Sequence, residues 1–163
     1  MANLVFSTTD KLSTSERLAY EDMLVNLAIQ ISPQYAEAKE QLRSKLQTEL
    51  HAFYENNKTT FGMLMDMQQR RITCIVSLIP HEENMLRVAQ LAVTSPEEYV
   101  TTGKTLIEAI KMRFPEKILF AKIHKQNPMG INMIQQCGGK ESNSFQEVDS
   151  ERSEKDGWLT FSL

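Results

Sequence analysis

The run Thr102-Gly-Lys-Thr105 is the part of the chain whose residue types best suit a phosphate. Glycine lets a ligand approach the backbone, lysine brings charge, and the threonines bring hydroxyl donors. The run matches the end of the nucleotide-triphosphatase loop Gly-x-x-x-x-Gly-Lys-Ser/Thr, but Glu98 stands where the first glycine should be. A carboxylate there would repel phosphate, so that reading is set aside. The histidines, His51, His81 and His124, are too scattered to suggest a metal site. His81-Glu82-Glu83 is a dense group of potential bases and reads either as a solvated turn or as a source of a general base. Asn127-Pro128 has the form of a helix start, with asparagine as cap and proline in the first turn. Cys74 and Cys137 fall outside any C-x-x-C pattern, and two thiols in a reducing compartment are favoured over one disulfide.

These residues must be positioned by a chain of 163 residues, which has room for one domain over 1–163. With 41% hydrophobic and 24% charged residues it has an ordinary globular composition. A chain of this length buries roughly two thirds of its unfolded surface and needs neither disulfide nor metal to fold. A formal charge of −3 argues against a dedicated nucleic-acid binder, which would carry a basic stripe. Met-Ala-Asn-Leu-Val-Phe lacks the basic start and long apolar run expected of a signal peptide, and no window approaches the ~20 apolar residues of a membrane span. The expected location is the cytoplasm, of its own cell or of a host.

Leu4 to Phe6 predicts a first strand. Ser13-Thr-Ser-Glu16 fits a capping box, ahead of a helix with Tyr20, Met23, Leu24, Leu27 and Ile31 on one stripe. Ser32-Pro33, as cap and first residue, begins a second helix with Ala38, Leu42, Leu46, Leu50 and Phe53 on one face, ending near Asn56-Asn57. Thr59 to Met67 and Ile72 to Ile79 read as a strand pair, with Arg70-Arg71 in its turn. Pro80 to Asn84 is a polar break, and Leu86 to Val93 a third strand of the meander. Leu106, Ile107, Ile110 and Phe114 predict a helix stopped by Pro115. Ile118 to Ile123 is apolar on both faces, as a central strand would be. A short helix from Asn127-Pro128 closes at Gly138-Gly139. Ser144 to Val148 and Trp158 to Leu163 read as final strands, joined by a charged connection from Asp149 to Gly157.

The order β-α-α-β-β-β-α-β-α-β-β resembles the GNAT acyltransferase fold, and several motifs carry the resemblance. In that family the helix after the fifth strand begins with Asn, has a small residue three places on, and meets a glycine about eleven places on. Here Asn127, Gly130 and Gly138 stand at those positions. Lys122-Ile-His-Lys-Gln-Asn127 is similar to the end of the family's fifth strand, and Leu91-Ala-Val-Thr-Ser-Pro96 to its fourth strand and following proline. The motif-level resemblance spans Met85 to Leu163, and residues 1–84 match in element order. It implies a mixed α/β (α+β), mainly antiparallel sheet with a splayed central parallel pair and helices on both faces.

The resemblance further implies acetyl-CoA as co-substrate. The backbone of Val93, the loop Val100, Thr101, Thr102, Gly103, Lys104 and Thr105, and Asn127 would hold it. The family's loop reads Arg or Gln, two residues, Gly, one residue, Gly or Ala. Neither register of residues 98 to 105 restores it, since Val100 or Glu98 takes the first position and Thr105 replaces a glycine in one of them. Many members use a carboxylate on the fourth strand as base and a tyrosine seven residues after the Asn as acid. This chain has Arg87 and Gln90 on that strand and Ile134 in the tyrosine's place. His81 and Glu82 are then the candidate bases. Met63, Met65, Met67 and Met85 crowd the strands, as adaptable core filling or, in a second reading, as a pliable acceptor pocket.

Two functions follow. The first is N-acetyl transfer from acetyl-CoA to an amine-bearing small molecule or peptide, by direct attack in a ternary complex. The second is a GNAT-fold module without catalysis that serves binding or dimerisation. In either case the C-terminal strand pair offers an edge for a homodimer. Full pairing of the fourth and fifth strands would point instead to an unrelated α/β domain.

Overall fold

The computed structural model describes residues 4–82, 84–142 and 156–163. Its strands are β1 (Leu4–Thr9), β2 (Thr60–Asp66), β3 (Arg71–His81), β4 (Met85–Val93), β5 (Ile118–His124), β6 (Lys140–Glu141) and β7 (Trp158–Ser162). The helices are α1 (Thr14–Ile31), α2 (Lys39–Glu55), α3 (Tyr99–Arg113) and α4 (Pro128–Gln136). The strands form one sheet in the order β1-β2-β3-β4-β5-β7-β6. Its pairs are antiparallel except β4 and β5, which are parallel. The mixed, mainly antiparallel sheet expected from the sequence is therefore present.

Alternation along the strands sends side chains to two cores. Cys74, Val76 and Leu78 of β3 join Leu106, Ile107 and Ile110 of α3 and Met133 and Ile134 of α4. Phe61 and Met63 of β2 and Ile75 of β3 pack with Tyr20, Met23 and Leu24 of α1 and Leu50 of α2. The capping box forms at the head of α1: Glu16 N–H donates to Ser13 Oγ at 3.2 Å, and Ser13 N–H to Glu16 Oε1 at 2.7 Å. In α2 only Leu50 is fully buried, while Leu42, Leu46 and Phe53 are half-buried. Burial of one leucine is worth about 2 kcal/mol, so α2 is the most weakly anchored of the long helices.

Some expectations are corrected. Ser32 makes no side-chain cap, and Pro33–Ala38 is a 3-10 turn, so the second helix starts at Lys39. Pro80 and His81 continue β3, and the chain reverses at Glu82, whose φ is +53°. The run 99–105 is helix from its first residue and not a loop before one. β6, absent from the sequence reading, pairs with β7. The strand expected at Ser144 to Val148 lies outside the described residues, as does the charged connection apart from Asp156 and Gly157. Met63 is core, Met65 half-buried and Met67 exposed.

Candidate functional site

The two parallel strands part soon after they meet. Met85, Leu86 and Arg87 register with Ile118, Leu119 and Phe120, and no pair continues beyond Arg87 and Phe120. β4 is bent at this point by a bulge. Ser77 of β3 lies opposite Ala89, and Ile75 opposite Ala92, so one residue of β3, Val76, faces two of β4, Gln90 and Leu91. The extra residue resets the alternation: Leu86 and Val88 face the α3 core, and after the bulge Leu91 and Val93 do so. Gln90 takes a left-handed backbone with φ +50°, which costs a non-glycine residue about 1 kcal/mol or more. The buried Tyr20 hydroxyl of α1 donates to the carbonyl oxygen of Gln90. That carbonyl can only accept, so Ser77 Oγ must donate its proton to the Tyr20 oxygen, 2.9 Å away. Burial pushes the Tyr20 hydroxyl pKa well up and keeps it a donor.

A cleft of about 310 Å³ runs through the gap. Leu24, Leu27, Ala28 and Ile31 of α1, with Leu46 and Glu49 of α2, wall one side of the sheet. Tyr99 of α3 and Asn127, Met133 and Ile134 of α4 wall the other, with Val88, Gln90, Leu91 and Ala121 to His124 at the waist. The open inner edges of β4 and β5 present backbone donors and acceptors that the sheet does not use. Among the described lining residues Glu49 is the one carboxylate and Lys122, buried on β5, the one lysine. The His124 ring is committed on both sides: Nδ1 accepts from Gln126 N–H at 3.1 Å, and Nε2 lies 3.1 Å from the Asp156 carbonyl. Its face meets Trp158 edge-on at 5.1 Å. Burial raises the Tyr99 hydroxyl pKa, so it too stays protonated at neutral pH.

Two helix starts border the cleft. The 3-10 turn Pro96–Glu98 leads into α3, and no side chain caps either element. Tyr99 N–H is taken by the Pro96 carbonyl of the 3-10 turn, the next amides of α3 precede its first intrahelical bonds, and the helix dipole is positive there. Thr101 is exposed in this turn, while Glu97 and Glu98 also face solvent. At α4, Gly130 N–H donates to Asn127 Oδ1 at 3.1 Å. A Cβ on residue 130 would lie 2.8 Å from Asn127 Nδ2 and 3.1 Å from Ile123 Cγ2. The small residue three places after the asparagine is thus needed for the cap to fit against β5.

The candidate bases are elsewhere. His81 pairs with Met85 at the closed end of β4, beside Phe120 at 5.5 Å, and Glu82 is exposed in the following turn. Met85 stands three residues before Val88, the first β4 residue of the cleft lining, about 10 Å at ~3.4 Å each, and neither His81 nor Glu82 lines the cleft. Among the expected cofactor residues, Asn127 lines the cleft. Val93 is buried opposite Cys74 at the end of β4. Val100, Thr101 and Thr102 lie in the first turn of α3, with Gly103, Lys104 and Thr105 beyond them. Gly103 is a packing glycine, since a Cβ there would lie 2.9 Å from Met133 Cγ. The Thr105 hydroxyl donates to the Thr101 carbonyl at 3.2 Å and is spent within the helix. None of Met63, Met65, Met67 and Met85 lines this cleft, and Met65 instead borders a second cleft with Met23, Arg70 and Arg71. Glu49, Tyr99 and the Tyr20 anchor were not foreseen. The phase slip of apolar residues from Leu86 and Val88 to Leu91 and Val93 was the available signal for the bulge.

Among the described residues, no group of three or more His, Cys, Asp or Glu could hold a metal ion. No described helix is long and apolar enough to cross a membrane. No family model and no curated protein matches the chain. Solved structures do. A GNAT-family acetyltransferase from Staphylococcus aureus is 15% identical with a TM-score of 0.62, over 97% of this chain and 98% of that one. Spermidine N-acetyltransferase from Vibrio cholerae, in complex with CoA and spermine, is 12% identical with a TM-score of 0.59, over 98% and 94%. The Campylobacter jejuni N-acetyltransferase PseH, in complex with acetyl coenzyme A, is 14% identical with a TM-score of 0.54, over 99% and 98%. At these identities the likeness establishes the fold, which is that of the GNAT acetyltransferases.

Proposed function

We propose that the chain is an acyl-CoA-dependent N-acyltransferase, with acetyl as the group transferred and an amine as acceptor. The observation that carries this reading is the cleft through the sheet where β4 and β5 part after three paired residues. A fold used only for interaction gains nothing from a gap in its core sheet, because unpaired strand edges cost stability. The pantetheine arm of acetyl-CoA carries two amides and can pair with such edges as a third strand would. Relatives of the same fold have been solved with acetyl coenzyme A and with CoA bound.

The residues present fit the co-substrate. The open edges at Val88 to Leu91 and Ala121 to His124 would hold the arm, with Asn127 beside it. The pyrophosphate would lie at the first turn of α3, around Val100 to Thr102, in the N-terminal half of the expected run 100–105. Acetyl-CoA supplies an activated acetyl thioester. Transfer forms a bond from the acetyl carbon to the amine nitrogen, breaks its bond to sulfur, and leaves the amine's extra proton to be removed. Glu49 is the lining carboxylate on the α1–α2 side and would orient the ammonium form or take that proton, directly or through water. The Tyr99 hydroxyl, protonated on the other side, would donate toward the departing sulfur. Leu24, Leu27, Ile31 and Leu46 favour an amine carried on an apolar body.

The test is release of free CoA thiol from acetyl-CoA in the presence of a panel of apolar and polar primary amines. Amine-dependent release with a preference for apolar amines is expected. Acetyl-CoA binding without turnover on any amine would favour the second reading, a binding module that has lost catalysis, for which the apolar Ile134 in place of an acid speaks.

A further inference from the structure

We propose that Tyr20 is a positioning residue for the co-substrate slot, its hydroxyl holding the β4 bulge open from the opposite helix. The inference rests on the acyltransferase reading of the cleft. Gln90 sits in the bulge: it has no register partner on β3, where pairing resumes at Ala92, and β5 has already diverged. Its left-handed backbone is disfavoured, so something must hold it. The one side-chain hydrogen bond to its carbonyl among the described residues comes from Tyr20. Tyr20 is itself fixed. Its ring is fully buried and meets Phe61 edge-on at 6.4 Å, and Ser77 supplies the donor for its oxygen. One turn further along, the same helix provides Leu24, Leu27 and Ile31 to the acceptor wall. α1 thus walls the acceptor side and sets the slot at once.

The carbonyl of Gln90 would otherwise be free to rotate toward ordinary strand geometry, and β4 would straighten toward β5. Loss of the hydroxyl therefore narrows the slot without changing a side chain that lines it. Tyr20→Phe keeps the packed ring and removes only this bond.

The experiment compares acetyl-CoA affinity by calorimetry, thermal midpoint, and hydrogen exchange at the amides of residues 90–92. The wild type, Tyr20→Phe, Ser77→Ala and Tyr20→Phe/Gln90→Gly are measured. Tyr20→Phe is expected to bind about five- to ten-fold more weakly, the worth of one hydrogen bond, with faster exchange at 90–92. Ser77→Ala leaves the bond to Gln90 intact and should bind like the wild type even where its midpoint falls. Glycine at 90 accepts the left-handed backbone freely, so the double variant should regain affinity. Wild-type affinity in Tyr20→Phe overturns the inference, as does equal loss in Tyr20→Phe and Ser77→Ala. A wild-type chain that does not bind acetyl-CoA overturns the functional reading with it. If Tyr20→Phe does not fold, the double variant carries the comparison, and failure to bind there counts against the proposal.

Discussion

Replacing Gly103 by alanine sets two effects of known size against each other. Alanine is the better helix former, and in an exposed position the change would stabilise α3 by about 1 kcal/mol. Here the added methyl would lie 2.9 Å from Met133 Cγ, 3.1 Å from its Sδ and 3.4 Å from its Cε. Met133 is 2% exposed and cannot swing into solvent, so α3 and α4 must separate slightly or Met133 must leave its rotamer. Overpacking of this kind costs about 1–3 kcal/mol. The methyl contact wins, and Gly103→Ala should destabilise by about 1 kcal/mol, lowering the thermal midpoint of a domain this size by about 2–4 °C. Met133→Ala alone should cost about 2–5 kcal/mol through the cavity it leaves. In that background the methyl at 103 enters vacated space, and the sign should reverse to a gain. Guanidinium denaturation of the four proteins in the cycle measures this. A Gly103→Ala variant that stabilises the wild type, or an equal loss in both backgrounds, would refute the interlock and reopen a direct cofactor role for this glycine.

Further outcomes follow from the same geometry. Asn127→Ala removes the α4 cap and should lower stability by about 1 kcal/mol, read as a midpoint drop of about 2–4 °C, while Asn127→Asp should keep it. Glu49→Gln should reduce amine-dependent CoA release by about ten-fold or more while leaving acetyl-CoA affinity unchanged; equal rates would remove Glu49 from the chemistry. Burial raises the pKa of Tyr20, Tyr54, Tyr99 and Cys74 in the folded chain. A raised folded pKa means the native state holds protons that the unfolded chain releases. Their contribution is whole below the ordinary Cys and Tyr values, about 8.5 and 10, and is lost as pH rises through and beyond them. Denaturation midpoints should be flat between pH 7 and 8 on this account and fall steadily above about pH 9.

Much of the fold was legible because it depends on local signals. The capping box at Ser13, the stripe from Tyr20 to Ile31 and the cap at Asn127 each specify an element through neighbouring residues. The parallel pair was implied by the resemblance carried by the element order and the Asn127 motif. What escaped depends on distant contacts. Gly103 looked like a loop glycine, but it is small because Met133, thirty residues on, packs against it. His81 and Glu82 stood next to the right strand, yet nothing in their sequence says which end of that strand opens. Glu49 belongs to a helix whose only fully buried residue is Leu50, so its place beside the cleft is set by packing across α1. Tyr20 was legible as core, but its hydroxyl's partner lies seventy residues away at a bulge that only the phase slip in β4 betrays.

The central claim is that the gap between β4 and β5 is a slot for acetyl-CoA whose pyrophosphate end lies at the first turn of α3. The direct measurement is calorimetric titration of the wild-type chain and Thr101→Glu with acetyl-CoA. Thr101 is exposed, and a glutamate in the first turn of a helix favours its dipole, so the variant should fold as well as the wild type. Micromolar binding by the wild type, lost or weakened at least about ten-fold in the variant by charge repulsion, is the predicted result. Absence of binding at millimolar acetyl-CoA, or equal affinity in the two proteins, would contradict it.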